Sequence, residues 1–305
     1  MNIVIVGAGA IGSLYGALLA KKNTVVLVGR APHITTIQQK GLTIKGKTRV
    51  HVTIPAVTSI GSVTITPDLI LLTVKSFDTE SASEQVRSII HDNTMLVSLQ
   101  NGLDNLEKIE RFVDKNHILA GVTMQGAILS KPGQIAHTGT GNTILGEVDG
   151  RPSKRLETVA RTFSEAGIKT KISDNIGKEI WMKAIINSSI NPITAFLRCK
   201  NGYLLENPLL EYIVERVCME STAIATSEGL LLSPGVMISK TKEVIRDTAQ
   251  NYSSMLQSIQ QGKKTEIDSI NGRLTRSGMN HNIDVSLNKI LTQLITALGH
   301  QQVSI

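Results

Sequence analysis

Cysteine is scarce: Cys199 and Cys218 are the only two in 305 residues. That excludes a scaffold built on disulfides and fits a reducing, cytoplasmic compartment. Aromatic residues make up 3% of the chain, with a single tryptophan, too few rings for a surface that stacks on bases. Lys and Arg number 32 against 25 Asp and Glu, but the basic residues are scattered, without a long basic block. No nucleic-acid partner is expected from that pattern, and small anionic ligands suit the positive balance better. His33, His51, His91, His117, His137, His281 and His300 show no metal-ligand spacing, so no metal is expected. There is no internal repeat and no low-complexity linker. Residues 3 to 20 carry no charge, yet they do not read as a membrane span or a leader. No Lys or Arg precedes them, and glycines at 7, 9 and 12 fall where a strand turns into a helix. Neither a targeting segment nor a membrane partner is expected.

What is present starts with that stretch. Asn2 to Val6 is a short β-branched run, GAGAIG follows at residues 7 to 12, and an apolar helix runs on to about Leu19. This is G-x-G-x-x-G in the strand–turn–helix setting that gives the motif its meaning. Gly7 permits the tight turn, Gly9 lets the backbone approach a pyrophosphate, and Gly12 lets the helix pack close to the strand. Ala8, Ala10 and Ile11 complete the loop. The pyrophosphate would rest on the helix N-terminus, where free N–H groups favour an anion. The next strand, Thr24 to Val28, ends in Gly29 and Arg30 and has no acidic residue to hold a ribose 2′-hydroxyl. Arg30 suits a 2′-phosphate instead, so NADP is expected over NAD.

DLILLTVK (68 to 75) and TMLVSLQNG (94 to 102) are apolar runs of the kind buried in parallel sheets, ending at Lys75 and Asn101. Ligands of open α/β sheets lie at the carboxyl ends of strands, which gathers Gly7, Arg30, Lys75 and Asn101 on one edge. From Ile118 to Glu147, closely spaced turn signals predict an antiparallel extension of this sheet. A helix is expected over 151 to 166 and a last strand over 168 to 172. Beyond about Asp174 helical periods take over: roughly 175 to 190, 207 to 228, 235 to 260 and 284 to 298, punctuated by Pro192, Pro208 and Pro234. The pattern predicts two domains, 1–173 and 174–305. The apolar helices 207 to 228 and 235 to 260 can pair either within the chain or across a homodimer.

WMKAIINSSINP, residues 181 to 192, is apolar nearly all round, but Lys183, Asn187 and Asn191 recur every four residues. At about 100° per residue they form one polar stripe. Spacing alone makes this a buried polar ladder, structural or functional. Together with GAGAIG, VKSFD, LQNGLDN, CKNG and SSMLQSIQQGKKTEIDSINGRL, it resembles the 2-dehydropantoate 2-reductase, or ketopantoate reductase, family along nearly the whole chain. The resemblance implies a fold and an activity. The fold is α/β, with an N-terminal Rossmann-type dinucleotide-binding domain followed by an all-α C-terminal domain of the 6-phosphogluconate dehydrogenase C-terminal-like kind. The activity is reduction of 2-dehydropantoate to (R)-pantoate with NADPH, in pantothenate and coenzyme A biosynthesis. Lys183 matches the family's catalytic lysine, the proton donor. Glu266 matches a glutamate at the cofactor–substrate site. Asn187, Asn191, Asn201 and Ser254 match substrate-binding positions, and Asn101 lies at both substrate and cofactor. Lys75 matches a cofactor-side lysine, and Ala127 a backbone contact to cofactor. Gln125 departs from the family pattern, which has a ring or a hydroxyl in that loop. Without the resemblance, Glu266 reads as a surface acid beside Lys263 and Lys264. Two other activities compete: a related reductase acting on another branched 2-oxo acid, and a non-catalytic NAD(P)-sensing regulator.

Overall fold

The computed structural model describes residues 1–301. The side chains of His300 and Gln301 and residues 302–305, which fall in the expected second domain, lie outside the described residues. The chain packs as two compact units. Met1–Gln100 with Asn105–Glu179 form one, and Asn101–Asp104 with Ile180 onward form the other.

The first unit contains strands β1 (Asn2–Val6), β2 (Thr24–Val28), β3 (Leu42–Gly46), β4 (Val50–Val52), β5 (Ala56–Val57), β6 (Leu69–Leu72), β7 (Met95–Ser98), β8 (Ile118–Thr123), β9 (Gly126–Lys131), β10 (Gln134–Gly139), β11 (Thr143–Glu147) and β12 (Thr170–Ile172). Its helices are α1 (Ala10–Leu19), α2 (Ala31–Lys40), α3 (Thr79–Val86), α4 (Asn105–Ile109) and α5 (Lys154–Glu165). Eight strands form the main sheet in the order β12-β11-β8-β7-β6-β1-β2-β5. From β8 through to β5 every pairing is parallel. The apolar runs are continuous because both faces of these strands are covered. In β1, Ile3 and Ile5 enter one core, and Val4 and Val6 enter the other.

The expected antiparallel extension is only half of what 118–147 forms. β11 does pair antiparallel with β8. The β9–β10 hairpin, however, leaves the main sheet and joins β3 and β4 in a second sheet ordered β4-β3-β10-β9. Alternating patterns identify strands but not their distant partners. The uncharged stretch near the start is β1, the glycine turn and α1, and none of the described helices is long and apolar enough to cross a membrane.

Two buried polar residues pin α1 and α2 to this framework. The Tyr15 hydroxyl meets Thr123 Oγ1 at 2.7 Å and Thr143 Oγ1 at 2.5 Å, while its ring stands edge-on to Phe163. His33 Nδ1 accepts from the Gly133 N–H at 2.9 Å, so Nε2 carries the proton and donates to Ser13 Oγ, also at 2.9 Å. Burial lowers the His33 pKa from 6.5. A lowered folded value means that the unfolded chain binds the proton more readily. The contribution is therefore complete above 6.5 and is lost as pH falls through the folded value. Urea midpoints should drop between about pH 7 and about pH 5, and His33→Gln should flatten that dependence. An equal slope in wild type and variant would remove His33 from the account.

The second unit is helical: α6 (Ile176–Leu197, whose first turn belongs to the first unit), α7 (Tyr203–Glu206), α8 (Pro208–Ser227), α9 (Pro234–Asp247), α10 (Ser254–Gln260), α11 (Asn271–Asn280) and α12 (Ser286–Gln301). Ile185, Ile186, Ile190 and Ile193 of α6 pack with Val214, Cys218, Met237 and Ile245. The expected helix 235–260 is broken at residues 248–253, where the Ser253 hydroxyl caps α10 by accepting from the Leu256 N–H. Pro192 does not end α6, which continues to Leu197. A proline inside a helix strips a donor from the carbonyl four residues earlier, here that of Ser188. Asn271 Nδ2 donates to that carbonyl at 3.1 Å instead.

Candidate active site

The glycine turn has little slack. Gly7 has φ +105, and a Cβ there would lie 2.5 Å from the Val74 nitrogen. A Cβ on Gly12 would lie 2.3 Å from the Gly7 carbonyl oxygen and 2.5 Å from Thr73 Oγ1. Beside Gly9 there is room: a Cβ would meet only the Gly7 oxygen, at 3.9 Å. Gly9 is also the residue that precedes α1, so the open side of the turn borders the helix N-terminus. Backbone room at one glycine and steric need at the other two fit a pyrophosphate cradle, with Ala8, Ala10 and Ile11 between them. The Gly7 and Ala8 N–H groups donate to the Val28 carbonyl, binding the turn to the end of β2. Gly29 lies against Ala8, where a Cβ would approach to 2.8 Å.

Arg30, Lys75 and the glycine turn follow the carboxyl ends of the neighbouring strands β2, β6 and β1. Arg30 Nη2 meets Asp78 Oδ2 at 3.1 Å, with the guanidinium largely exposed. Lys75 is exposed and engaged in polar contact. Gln100 ties the ends of β6 and β7 together, donating through Nε2 to the Val74 carbonyl at 2.9 Å and to Thr79 Oγ1 at 2.7 Å. Ala127 lies in β9, paired in register with His137. The departing residue Gln125 is braced: its Oε1 accepts from His137 Nε2 at 2.9 Å, and its Nε2 donates to the Gly141 carbonyl at 2.7 Å.

The helical unit carries the stripe. Lys183 and Asn187 are half-buried on α6 and Asn191 is buried. Lys183 takes part in polar contact. Among the described residues, no side-chain hydrogen bond occupies the amides of Asn187 or Asn191. Each amide offers both donors and an acceptor that a ligand could use. Glu266 is 7% exposed, although Lys264, two residues before it, is exposed. It precedes a short turn of 3-10 helix at Ile267–Ser269, and the Ser269 carbonyl accepts from the Leu103 N–H at 3.0 Å. The loop 101–104, with Asn101 at its start, thus belongs to the helical unit and packs beside the Glu266 segment.

Asn201 is buried, and its Nδ2 donates to Thr248 Oγ1 at 2.9 Å. The Thr248 hydroxyl proton is committed to the Val244 carbonyl, so the amide cannot be turned round. Asn201 Oδ1 is left buried without a partner among the described residues, an acceptor suited to a ligand hydroxyl. Ser254 is exposed at the first residue of α10. Ser253 beside it accepts at 2.8 Å from Thr194 Oγ1, which joins the start of α10 to the Asn191 end of α6.

Comparison with known proteins supplies the rest. Residues 3–150 match the model described as "Ketopantoate reductase PanE/ApbA", and residues 175–299 match its C-terminal companion. The chain belongs to the ketopantoate reductase family. The 2-dehydropantoate 2-reductase of Pyrococcus horikoshii is 41% identical over 300 residues, 97% of each chain. A ternary structure of D-mandelate dehydrogenase with NADH and anilino(oxo)acetate superposes with a TM-score of 0.93 at 28% identity, covering 99% of this chain and 100% of that one. The 2-dehydropantoate 2-reductase of Geobacter metallireducens gives 0.91 at 27% identity, covering 97% and 99%.

In this ketopantoate reductase family member, two residues that no sequence motif marks brace the region. Thr73 closes the glycine turn by donating to the Gly7 carbonyl at 2.8 Å. Gln100 clamps the two strand ends that lead to Lys75 and Asn101. Neither has a motif, although a polar residue at the end of an otherwise apolar run is a weak signal for each.

Proposed function

We propose that this chain reduces the ketone of 2-dehydropantoate to the alcohol of (R)-pantoate with NADPH, within pantothenate and coenzyme A biosynthesis. The observation that carries the reading is that one chain holds both a glycine-turn cradle in its first unit and, on α6 in its second, a polar stripe of one ammonium and two amides. Close curated relatives bearing the name 2-dehydropantoate 2-reductase support it. Gly7 to Gly12 would hold the pyrophosphate, with Arg30, Lys75, Asn101 and the Ala127 backbone at other parts of the cofactor. When bound, NADPH supplies the hydride that goes to the ketone carbon.

The protein's part is electrostatic and positional. Negative charge grows on the ketone oxygen as the C–H bond forms. The Lys183 ammonium stabilises it and passes it a proton, giving the neutral alcohol and a neutral amine that solvent reprotonates. Asn187 and Asn191 present donors and acceptors at four-residue spacing to the substrate's hydroxyl and carboxylate. Asn201 Oδ1 accepts from the hydroxyl, and Ser254 adds a hydroxyl of its own. Glu266, buried, orients Lys183 and the substrate. The cytoplasm suits a chain with two free thiols. A homodimer belongs to the same reading. α8 exposes Leu209, Tyr212, Ile213 and Met219 at helical spacing, a stripe suited to a second copy, and a monomeric mass in light scattering would rule it out.

Cofactor choice rests on Arg30. Arg30→Asp should move the kcat/KM preference toward NADH by about tenfold or more, since a 2′-phosphate loses its cation and meets a carboxylate. An unchanged ratio of NADPH to NADH efficiency would sink the assignment. A second reading, a reductase of another branched 2-oxo acid, draws on the likeness to D-mandelate dehydrogenase. A panel of aliphatic and aromatic 2-oxo acids separates them: the first reading requires 2-dehydropantoate to have the highest kcat/KM.

A further inference from the structure

Pro192 follows both amides of the α6 stripe, one residue after Asn191 and five after Asn187, and the carbonyl it deprives of a donor, that of Ser188, lies between the two. It leaves the Ser188 carbonyl without a helical donor in a fully buried place. The replacement comes from far along the chain. Asn271, the first residue of α11 and fully buried, donates from Nδ2 to Ser188 O at 3.1 Å and to Asn288 Oδ1 at 2.9 Å. Both neighbours of Nδ2 are acceptors, so a reversed amide would set oxygen against oxygen. Asn271 Oδ1 has no partner among the described residues, so donation to the two acceptors fixes the side chain at the cost of an orphan oxygen.

Asn288 is oriented in turn. Its Nδ2 donates to Glu220 Oε1 at 2.8 Å and to Ser221 Oγ at 3.0 Å, which leaves its Oδ1 facing Asn271. Glu220 also accepts from the N–H groups of Leu287 and Asn288 at the start of α12, at 2.9 and 2.8 Å. Ser221 and Ser188 close the circuit, 3.0 Å apart through their hydroxyls, with the Ser188 proton given to the Ile185 carbonyl. The chain of donors and acceptors is therefore polarised from a carboxylate on α8, through α12 and α11, to one carbonyl of α6.

We propose that Asn271, held by Asn288 and Glu220, is a positioning residue for the reaction: it replaces the hydrogen bond that Pro192 removes, and so fixes how Asn187 and Asn191 sit relative to each other. This rests on the reading of α6 as the helix that carries the proton donor and the substrate amides. The two amides flank the Ser188 carbonyl along the helix and must reach one small substrate. With the Ser188 carbonyl unsatisfied, α6 has no reason to keep one geometry at that point, and a misplacement of about an ångström can cost roughly a hundredfold in rate.

The test is a double-mutant cycle with a spectroscopic readout. Asn271→Ala should lower kcat/KM for 2-dehydropantoate by roughly ten- to a hundredfold, chiefly through KM, with the KM for NADPH unchanged. Pro192→Ala returns an N–H to the helix. In that background the Asn271→Ala effect should shrink to about twofold or less, because the carbonyl has its own partner again. The Ser188 carbonyl carbon, read through the Ser189 amide in HNCO spectra of the ligand-free protein, should move upfield in Asn271→Ala and stay in place in the double variant. If Asn271→Ala does not fold, Asn288→Ala should show the same KM effect and the same Ser188 shift. Equal losses in both backgrounds, an unmoved Ser188 signal, or a change in thermal stability with no change in KM would each overturn the proposal. Should wild type fail to reduce 2-dehydropantoate, the functional reading fails, while the Ser188 signal still decides the anchoring.

Discussion

Lys183→Ala should lower kcat for 2-dehydropantoate reduction by about 10²- to 10⁴-fold, the range expected when a positioned proton donor is removed. Hydride arrival places an electron pair on the ketone oxygen, and an alkoxide without a donor is a poor intermediate. Lys183 is the cation of the α6 stripe, one helical turn from Asn187 and two from Asn191, half-buried and already in polar contact. The loss should appear in kcat, because the contact strengthens only as the oxygen becomes negative. NADPH affinity should be unchanged. Lys183→Arg keeps the charge but not a proton that can be given up, so it should recover only part of the loss. Stopped-flow kinetics with deuterated NADPH will show whether hydride transfer itself has slowed. A variant with nearly full kcat would remove Lys183 from the mechanism. A loss confined to thermal stability would make it a packing residue whose stem covers apolar surface.

Gly9→Ala and Gly12→Ala should fail in different ways. At Gly12 the added Cβ would sit 2.3 Å from the Gly7 carbonyl oxygen, which is backbone, and 2.5 Å from the Thr73 hydroxyl that holds it. The turn must move. A stability loss of about 1–3 kcal/mol is expected from overpacking, along with at least a tenfold loss of NADPH affinity. At Gly9 the Cβ meets nothing closer than 3.9 Å, so the fold should not notice it. The same methyl stands where the backbone must approach the pyrophosphate, so NADPH affinity should drop by about tenfold or more with the melting temperature unchanged. Isothermal titration and thermal melts on the two variants check the contrast. Normal NADPH binding by a stable Gly9→Ala protein would contradict the cradle.

How much of this could be read in the sequence depends on how local the cause is. The glycine turn, β1, β2, β6 and β7 are legible because turn chemistry and apolar runs are local. The Lys183–Asn187–Asn191 stripe is legible for the same reason, being one helical period repeated. The second sheet is not legible: β10 pairs with β3 across about ninety residues, and alternation gives no partner. The continuation of α6 through Pro192 is also hidden, since the group that makes it tolerable, Asn271, lies 83 residues from the carbonyl it serves. Glu266 shows the limit most plainly. Beside Lys263 and Lys264 it looks like a surface acid, yet it is buried and its neighbour is not. Only the family resemblance marked it, because burial at a chain turn is decided by elements elsewhere. Asn101 lay at a strand end in the sequence, but the contacts of its loop, such as Leu103 with Ser269, place it with the helical unit.

The most direct measurement is NADPH oxidation by the wild-type chain with 2-dehydropantoate, with the product's configuration determined by chiral chromatography. Steady turnover, stoichiometric (R)-pantoate and a rate that collapses in Lys183→Ala are expected. NADPH binding without turnover, or turnover confined to other 2-oxo acids, would contradict the proposed reaction.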